Sequence, residues 1–506
     1  MRDKWSSRST FILASVGSAV GLGNAWRFPG LVSKHGGGAF LVIYLVMLLI
    51  IGIPLLMMEI SLGRRSKKGA PGAFRSLGKK FEPVGWAATA NAFGIACYYA
   101  VVFAWVIMMV FASIKFIHMT GDSTAASNVF FDMTKSTMDV TGYSIPPILI
   151  VALVIAWGSI YFCIRNGASS VGKVVKYTVF LPVLFLLILA IKGVTMPGAA
   201  QGLRQLFIPD IAAFADASLW VDAIGQVFYS LSIMMAIMIA YGSFLDEGNN
   251  VVEDCFIIAF SDAAISVLSS IVMFSTMGGV GMLDSITDSG IATAFVVYPQ
   301  AIVRLTGNGY VNAAFGAVFY LMLVTLAIDS AFSIIEGVST AFADKFSLDH
   351  KKTTKWLCVI AGVISMLFIT RAGLAWLDIV DNWTNQINLI IIGITECVIV
   401  GWFFKTDRVY KEVTKNVNKF NISKIWFNVS IKYIAPLLLT VLFVWNMYEL
   451  FVIKGGRYGY AAWAEILGGW CVSVLVLVSG FIIKLFQNKV KIDESEFEKV
   501  WDEEEK

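Results

Sequence analysis

Gly17-Ser18-Ala19-Val20-Gly21-Leu22-Gly23-Asn24 sits in the middle of the first long apolar run, and its reading decides the fold. Three glycines and an Asn within about two turns make a poor α-helix. In a bilayer that matters, because backbone groups left unpaired in hydrocarbon cost several kcal/mol each. Close packing against a neighbouring helix is the other reading of such glycines. The sixth apolar run, five runs later, carries its own polar interruption, Tyr229-Ser230-Leu231-Ser232, followed by Ile233-Met234-Met235-Ala236. Interrupted helices at corresponding positions of two halves point to a midplane binding site. Freed N–H groups favour an anionic group, and freed carbonyls favour cations. An amino-acid zwitterion accompanied by Na⁺ suits both at once.

Composition agrees with a membrane setting. Of 506 residues, 58% are hydrophobic and 15% charged, against about 45–50% and 25% in soluble domains. An ordinary soluble enzyme and a disordered chain are both excluded. The basic residues fall in separated loop clusters, so no nucleic-acid footprint is present.

Runs of about 20 apolar residues, enough for one bilayer crossing, centre on 10–34, 38–62, 84–116, 145–163, 174–191, 219–245, 252–277, 309–342, 356–370, 379–403, 432–452 and 462–486. That predicts an all-α integral membrane protein with twelve transmembrane helices. The stretch 279–308, with Gly279, Gly281, Gly290 and Pro299, reads as an external loop with short helices. Placing both termini in the cytoplasm puts 29 of the 39 Lys and Arg on that side, as the positive-inside rule requires. The expected location is the plasma (inner) membrane, multi-pass. The N-terminal MRDKWSSRST reads as retained, with no signal-peptide cleavage site after it.

Asp262 in SDAAIS and Asp329 in LAIDSAFS lie mid-span, where an acid costs about 2.5–3.5 kcal/mol. A structural hydrogen bond accounts for one such residue. Two, each beside hydroxyl-bearing neighbours, are better read as ligands of a hard cation. Glu59, Glu336 and Glu396 read as hydrogen-bonding or gating groups. The six cysteines form no CxxC pair and read as small buried hydrophobes. The three histidines are too dispersed for a metal site. Gly21-x-Gly23 lacks the rest of a dinucleotide fingerprint, and no P-loop, GxSxG or HExxH occurs. With no nucleophile–base pair, the chain is not expected to be an enzyme.

From GSAVGLGNAWRFPG at residue 17 through GQVFYSLS (225–232), LAIDSAFSIIE (326–336) and LDIVDNW (377–383), the chain resembles the neurotransmitter:sodium symporter family, in particular its bacterial amino-acid branch. The resemblance implies a leucine-transporter-type fold. Two inverted five-helix repeats (10–191 and 219–403, with helices 1 and 6 unwound) flank an external loop at 192–218. After the repeats come a cytoplasmic loop at 404–431 and two extra helices at 432–487. Cytoplasmic termini at 1–9 and 488–506 complete the division. It further implies two sodium sites. One draws on Ala19, Asn24, Ser230, Asp262 and the substrate carboxylate; the other on Gly17, Val20, Leu326, Asp329 and Ser330. The substrate carboxylate would meet Gly21, Leu22, Gly23 and Tyr99. The ammonium would meet Ala19, Tyr229, Ser230 and Ser232. Arg27 and Asp381 match an external ion pair above Tyr99 and Tyr229. Arg2, Trp5 and Asp344, helped by Glu336, match an internal latch. Gly172 and Pro182 match a spacing that leaves the fifth helix easy to unwind.

Some positions depart from the family pattern. Tyr229 stands where Phe is usual, Phe244 where Tyr is frequent, and Met234-Met235-Ala236 where relatives keep small residues and an aromatic. Asp262 stands where chloride-dependent members have Asn, although Tyr44, Gln226, Ser230 and Ser266 fit the chloride-binding set. The fixed carboxylate is expected to replace chloride. Gly21 leaves room for a free carboxylate where amine carriers place Asp. Ile95, Met234, Met235, Ala331 and Ile334 would form an apolar side-chain pocket. The expected function is sodium-coupled import of a neutral α-amino acid by alternating access, with chloride not required. A betaine or osmolyte carrier and a non-transporting sensor or leak channel are the competing readings. Membrane lipid is the surrounding partner, and oligomeric state stays open.

Overall fold

Segments this apolar can satisfy their backbone in lipid only by coiling onto themselves. The computed structural model describes residues 4–417, 420–485 and 500–501, and among them every regular element is a helix. In chain order these are α1 (Arg8–Ala19), α2 (Leu22–Ala25), α3 (Arg27–Lys34), α4 (Gly38–Ser66), α5 (Ala70–Leu77), α6 (Lys79–His118), α7 (Ser123–Thr134), α8 (Pro147–Ile164), α9 (Ala168–Thr178) and α10 (Phe180–Val194). They continue with α11 (Ala199–Phe207), α12 (Ala217–Ser230), α13 (Ile237–Ser243), α14 (Val251–Val280), α15 (Gly290–Ile302), α16 (Gly309–Phe346), α17 (His350–Ser365), α18 (Gly373–Thr414), α19 (Lys424–Ile453) and α20 (Ala462–Lys484).

Nine of the described helical stretches are long and apolar enough to cross a membrane. The three other predicted spans are accounted for locally. The first and sixth are each divided into shorter helices, and α17 has 16 residues. The fifth is one stretch with a discontinuity at Val179, between α9 and α10 and three residues before Pro182. The region 279–308 holds a short 3-10 turn and α15. Of the terminal residues named from sequence, Arg2 and most of 488–506 lie outside the described residues.

Loop residues set where helices begin. Ser7, Asp122, Asp216, Asn250, Asn308, Asp349 and Ser423 each accept a hydrogen bond from an N–H in the first turn that follows. Such caps satisfy donors a helix start leaves unpaired. The core lies where α16 packs along α6, with α1 and α13 against α16, α4 against α13 and α14 against α1. Glycine lets two of these meet backbone to backbone. A Cβ at Gly63 would strike the Ile239 carbonyl, and one at Gly242 the Ile60 carbonyl. Large apolar side chains such as Val154, Phe162, Ile191, Val363, Leu437 and Leu475 are exposed on the outer faces of α8, α10, α17, α19 and α20. A soluble monomer does not display such continuous apolar faces.

Candidate functional site

At the first interruption α1 ends at Ala19 and α2 begins at Leu22. Val20 (φ −80°) and Gly21 (φ −124°) are extended, a conformation open to any residue. The glycines serve approach instead. A Cβ on Gly17 would stand 2.6 Å from the Asp329 Oδ2 atom, and one on Gly21 2.7 Å from the Ser330 hydroxyl. Asn24 closes the turn by accepting from the Gly21 N–H at 2.9 Å.

The second interruption runs from 231 to 236 between α12 and α13 and is built differently. Ser232, Met234 and Ala236 all have positive φ (52°, 66° and 61°). For residues bearing a Cβ this costs about 1–2 kcal/mol each. Surrounding groups hold the segment in place. The Glu59 carboxylate accepts from the Met234 N–H at 2.5 Å, and the Ser232 hydroxyl donates to the Ser18 carbonyl at 2.8 Å. That last bond ties the two interruptions together.

Two clusters of polar groups flank this junction. In one, Asp262 receives the Ser230 hydroxyl (2.6 Å), the Asn24 amide (2.7 Å) and the Tyr44 hydroxyl (3.1 Å). The Asn24 amide also reaches the oxygens of Ser230 and Ser266. In the other, Asp329 lies against Gly17, and its Oδ1 atom is buried with no hydrogen-bond partner. The Tyr99 hydroxyl is likewise buried and unpartnered, aimed at Gly21. A solitary buried carboxylate oxygen is costly unless a cation meets it. The donor set here, a carboxylate, the Ser330 hydroxyl and the main chain at 17–20, is of the oxygen type that hard cations take.

Between the clusters lies a cavity of about 580 Å³. Ala19, Gly21, Leu22, Gly23, Asn24, Tyr99, Tyr229, Ser230 and Ser232 line it, with Ile95, Met234, Met235 and Ile334 as apolar wall. Gly17, Val20, Leu326, Asp262 and Asp329 stand behind that lining. Ala331 was expected in the wall and is absent from it: one residue past the lining Ser330, helical rotation turns its methyl into the buried packing. The structure also adds residues the span count passed over. A wide π-helical turn at Thr384–Asn388 presents Asn385 and Gln386 to the cavity. Their signal was a run of amides, TNQIN, within an apolar helix.

At one mouth of the cavity, Arg27 lies 4.4 Å over the Tyr229 ring. The expected pairing with Asp381 is not made: no carboxylate among the described residues forms an ion pair with Arg27, and Asp381 accepts from Asn385 at 2.7 Å. The guanidinium takes the aromatic face instead. The opposite end is shut. Trp5 is buried, donates its indole N–H to the Tyr241 carbonyl at 3.0 Å and packs edge-on against Tyr241 and Phe244. Asp344 accepts from the Gly69 N–H, and Glu336 lies 3.0 Å from His350. Lys4 pairs with Asp246, Arg8 with Glu253 and Asp254, and Lys345 with Glu82. A Cβ on Gly172 would meet the Thr10 methyl, so this glycine lets α9 approach α1.

Two broken helices facing one another around a cavity open at one mouth define a solute transporter of the broken-helix type. The model of the sodium:neurotransmitter symporter family matches residues 2–119 and 126–489, and the chain belongs to that family. Among its relatives is an uncharacterised sodium-dependent transporter of Methanocaldococcus jannaschii, 32% identical over 97% of this chain and 98% of the relative. The sodium- and chloride-dependent glycine transporter 2 of Xenopus laevis is 29% identical over 96% of this chain and 69% of its own length. The sodium- and chloride-dependent GABA transporter 2 of Rattus norvegicus is 29% identical over 94% and 85%.

Proposed function

We propose that the chain imports a small neutral α-amino acid together with Na⁺, by alternating access and without chloride. In this reading twelve spans form the five-plus-five inverted repeat with two added helices, both termini are cytoplasmic, and the Arg27 mouth is external. The observation that carries it is the pair of unsatisfied groups beside the first interruption, the Asp329 Oδ1 atom and the Tyr99 hydroxyl. Asp329 and Ser330, with carbonyls of Gly17, Val20 and Leu326, hold one Na⁺. Asn24, Ser230, Asp262 and the carbonyl of Ala19 hold the other, completed by the substrate carboxylate. That carboxylate also accepts hydrogen bonds from the Tyr99 hydroxyl and from the N–H groups of Leu22 and Gly23, where the short helix α2 begins; the Gly21 N–H is already held by Asn24. The ammonium meets carbonyls of Ala19, Tyr229 and Ser230 and the Ser232 oxygen, whose proton is already spent on Ser18.

Sharing one carboxylate between ion and substrate couples them, since each improves the other's affinity by the same factor. The apolar wall offers no partner to a charged side chain, which disfavours Lys, Arg, Asp and Glu. Asp262 supplies fixed negative charge beside Tyr44, Ser230 and Ser266, so no mobile anion is needed there. The relatives named for glycine and GABA carry small amino acids, in keeping with this class.

Thermal stabilisation of the purified chain by a panel of amino acids, with and without Na⁺, tests the reading. A bound ligand at 100 times its dissociation constant raises stability by about 2.7 kcal/mol. The expected result is stabilisation by neutral amino acids only when Na⁺ is present; equal stabilisation without Na⁺ overturns it. Uptake in gluconate instead of chloride should be unchanged, and collapse there would remove the chloride clause alone.

A further inference from the structure

We infer that Met234 sets the upper length of the substrate side chain, by filling a bay over Gly393 that would otherwise prolong the cavity; this rests on the amino-acid reading above. Position 234 has φ +66°, the left-handed region where glycine is the default and a Cβ is penalised. The side chain is nevertheless present and 1% exposed. Its backbone is held by Glu59 through the Met234 N–H, so the direction in which it leaves the chain is fixed.

What it meets is an absence of side chain. A Cβ at Gly393 would lie 2.5 Å from the Met234 Cε atom and 3.2 Å from its Cγ, with the sulfur nearer still. The thioether therefore lies flat on the bare backbone of α18. Leu389 and Ile390 line the cavity and stand four and three residues before Gly393, on the same helix face. The bay over Gly393 is thus continuous with the cavity wall, and the Met234 side chain separates the two. A large residue at 234 and none at 393 are complementary choices.

The prediction has two opposite arms. Met234→Gly removes the side chain and suits the left-handed backbone, so the bay joins the cavity. Gly393→Ala pushes the thioether back into the cavity. The purified full chain is titrated in Na⁺ with glycine, alanine, valine, leucine and phenylalanine, following its melting temperature. Met234→Gly should raise affinity for the shortest side chain that the wild type rejects by about tenfold or more, in line with what a methylene or two is worth in an apolar pocket. Gly393→Ala should lower affinity for the longest accepted side chain by about tenfold, and the double variant should return toward the wild-type order. An unchanged order in both single variants, with Na⁺ stabilisation intact, overturns the inference. Should Met234→Gly not fold, Met234→Ala carries the same readout. If no amino acid stabilises the wild type, the amino-acid reading fails and takes this inference with it.

Discussion

At the first interruption the chain stays in ordinary extended geometry and omits β-carbons so that α16 can come close. At the second it keeps its β-carbons and accepts left-handed geometry at Ser232, Met234 and Ala236. Glycine in one break is about space, and its absence in the other leaves strain that neighbours must hold. The consequences differ. A methyl added at the first break intrudes on the Asp329 carboxylate, whereas one removed at the second relaxes the backbone.

Gly17→Ala is the most damaging change this contrast predicts. The new Cβ would stand 2.6 Å from the Asp329 Oδ2 atom and 3.0 Å from the Val179 side chain. The carboxylate is the mobile party, so the fold survives and the proposed ion site does not. Losing a buried charge's partner is worth about 3–5 kcal/mol, which is an affinity loss for Na⁺ on the order of 100-fold or more. A Na⁺ titration of melting temperature reads it directly. Wild-type Na⁺ affinity in this variant would show that Asp329 does not face the ion.

How far the sequence discloses these two breaks follows from the same contrast. Residues 17–24 stand out because glycine is conspicuous, and both readings of it hold: the helix is interrupted there and the glycines admit a neighbour. The polar pair Ser230 and Ser232 locates the second break, but its left-handed run is invisible in Ile233-Met234-Met235-Ala236, since nothing in that composition asks for positive φ. Tertiary contacts, above all Glu59 on the Met234 N–H, impose it. Acids at 262 and 329 are legible because charge inside an apolar run is rare. The hydroxyls brought to Asp262 from Tyr44 and Ser230 depend on how helices are arranged. The Arg27–Asp381 pair shows a different limit: residue identity at two positions does not fix which neighbour a guanidinium takes, and Arg27 rests on Tyr229.

Ala236→Gly tests the strained side of the comparison, with an effect of opposite sign. Ala236 has φ +61° and opens α13. Its carbonyl accepts from the Ala240 N–H, a bond the substitution leaves alone. Removing the Cβ relieves about 1 kcal/mol of left-handed strain, and melting temperature should rise by about 1 °C for a chain of this length. A fall would mean that the methyl's packing outweighs the strain, and the two breaks would then be less different than their geometry implies.

The smallest effect sharpens the comparison at the helix ends. α12, the half-helix leading into the second break, is capped by Asp216, which receives the Ser218 N–H at 2.9 Å and the Ser218 hydroxyl at 2.8 Å. Neither α2 nor α3, its counterparts after the first break, has a side-chain oxygen bonded to its first-turn N–H groups at the cap position. The two Ser218 bonds hold the Asp216 carboxyl below the usual carboxylate range. A depressed folded-state pKa gives stability that is fully present above the unfolded value near 3.9 and is lost as pH falls through the folded value. Asp216→Ala should therefore lower stability by on the order of 1 kcal/mol or less at pH 7, because the site is solvent-screened. Melting curves of variant and wild type should converge as pH drops below about 3.9. A deficit that persists undiminished in acid would place the loss in packing instead of the cap.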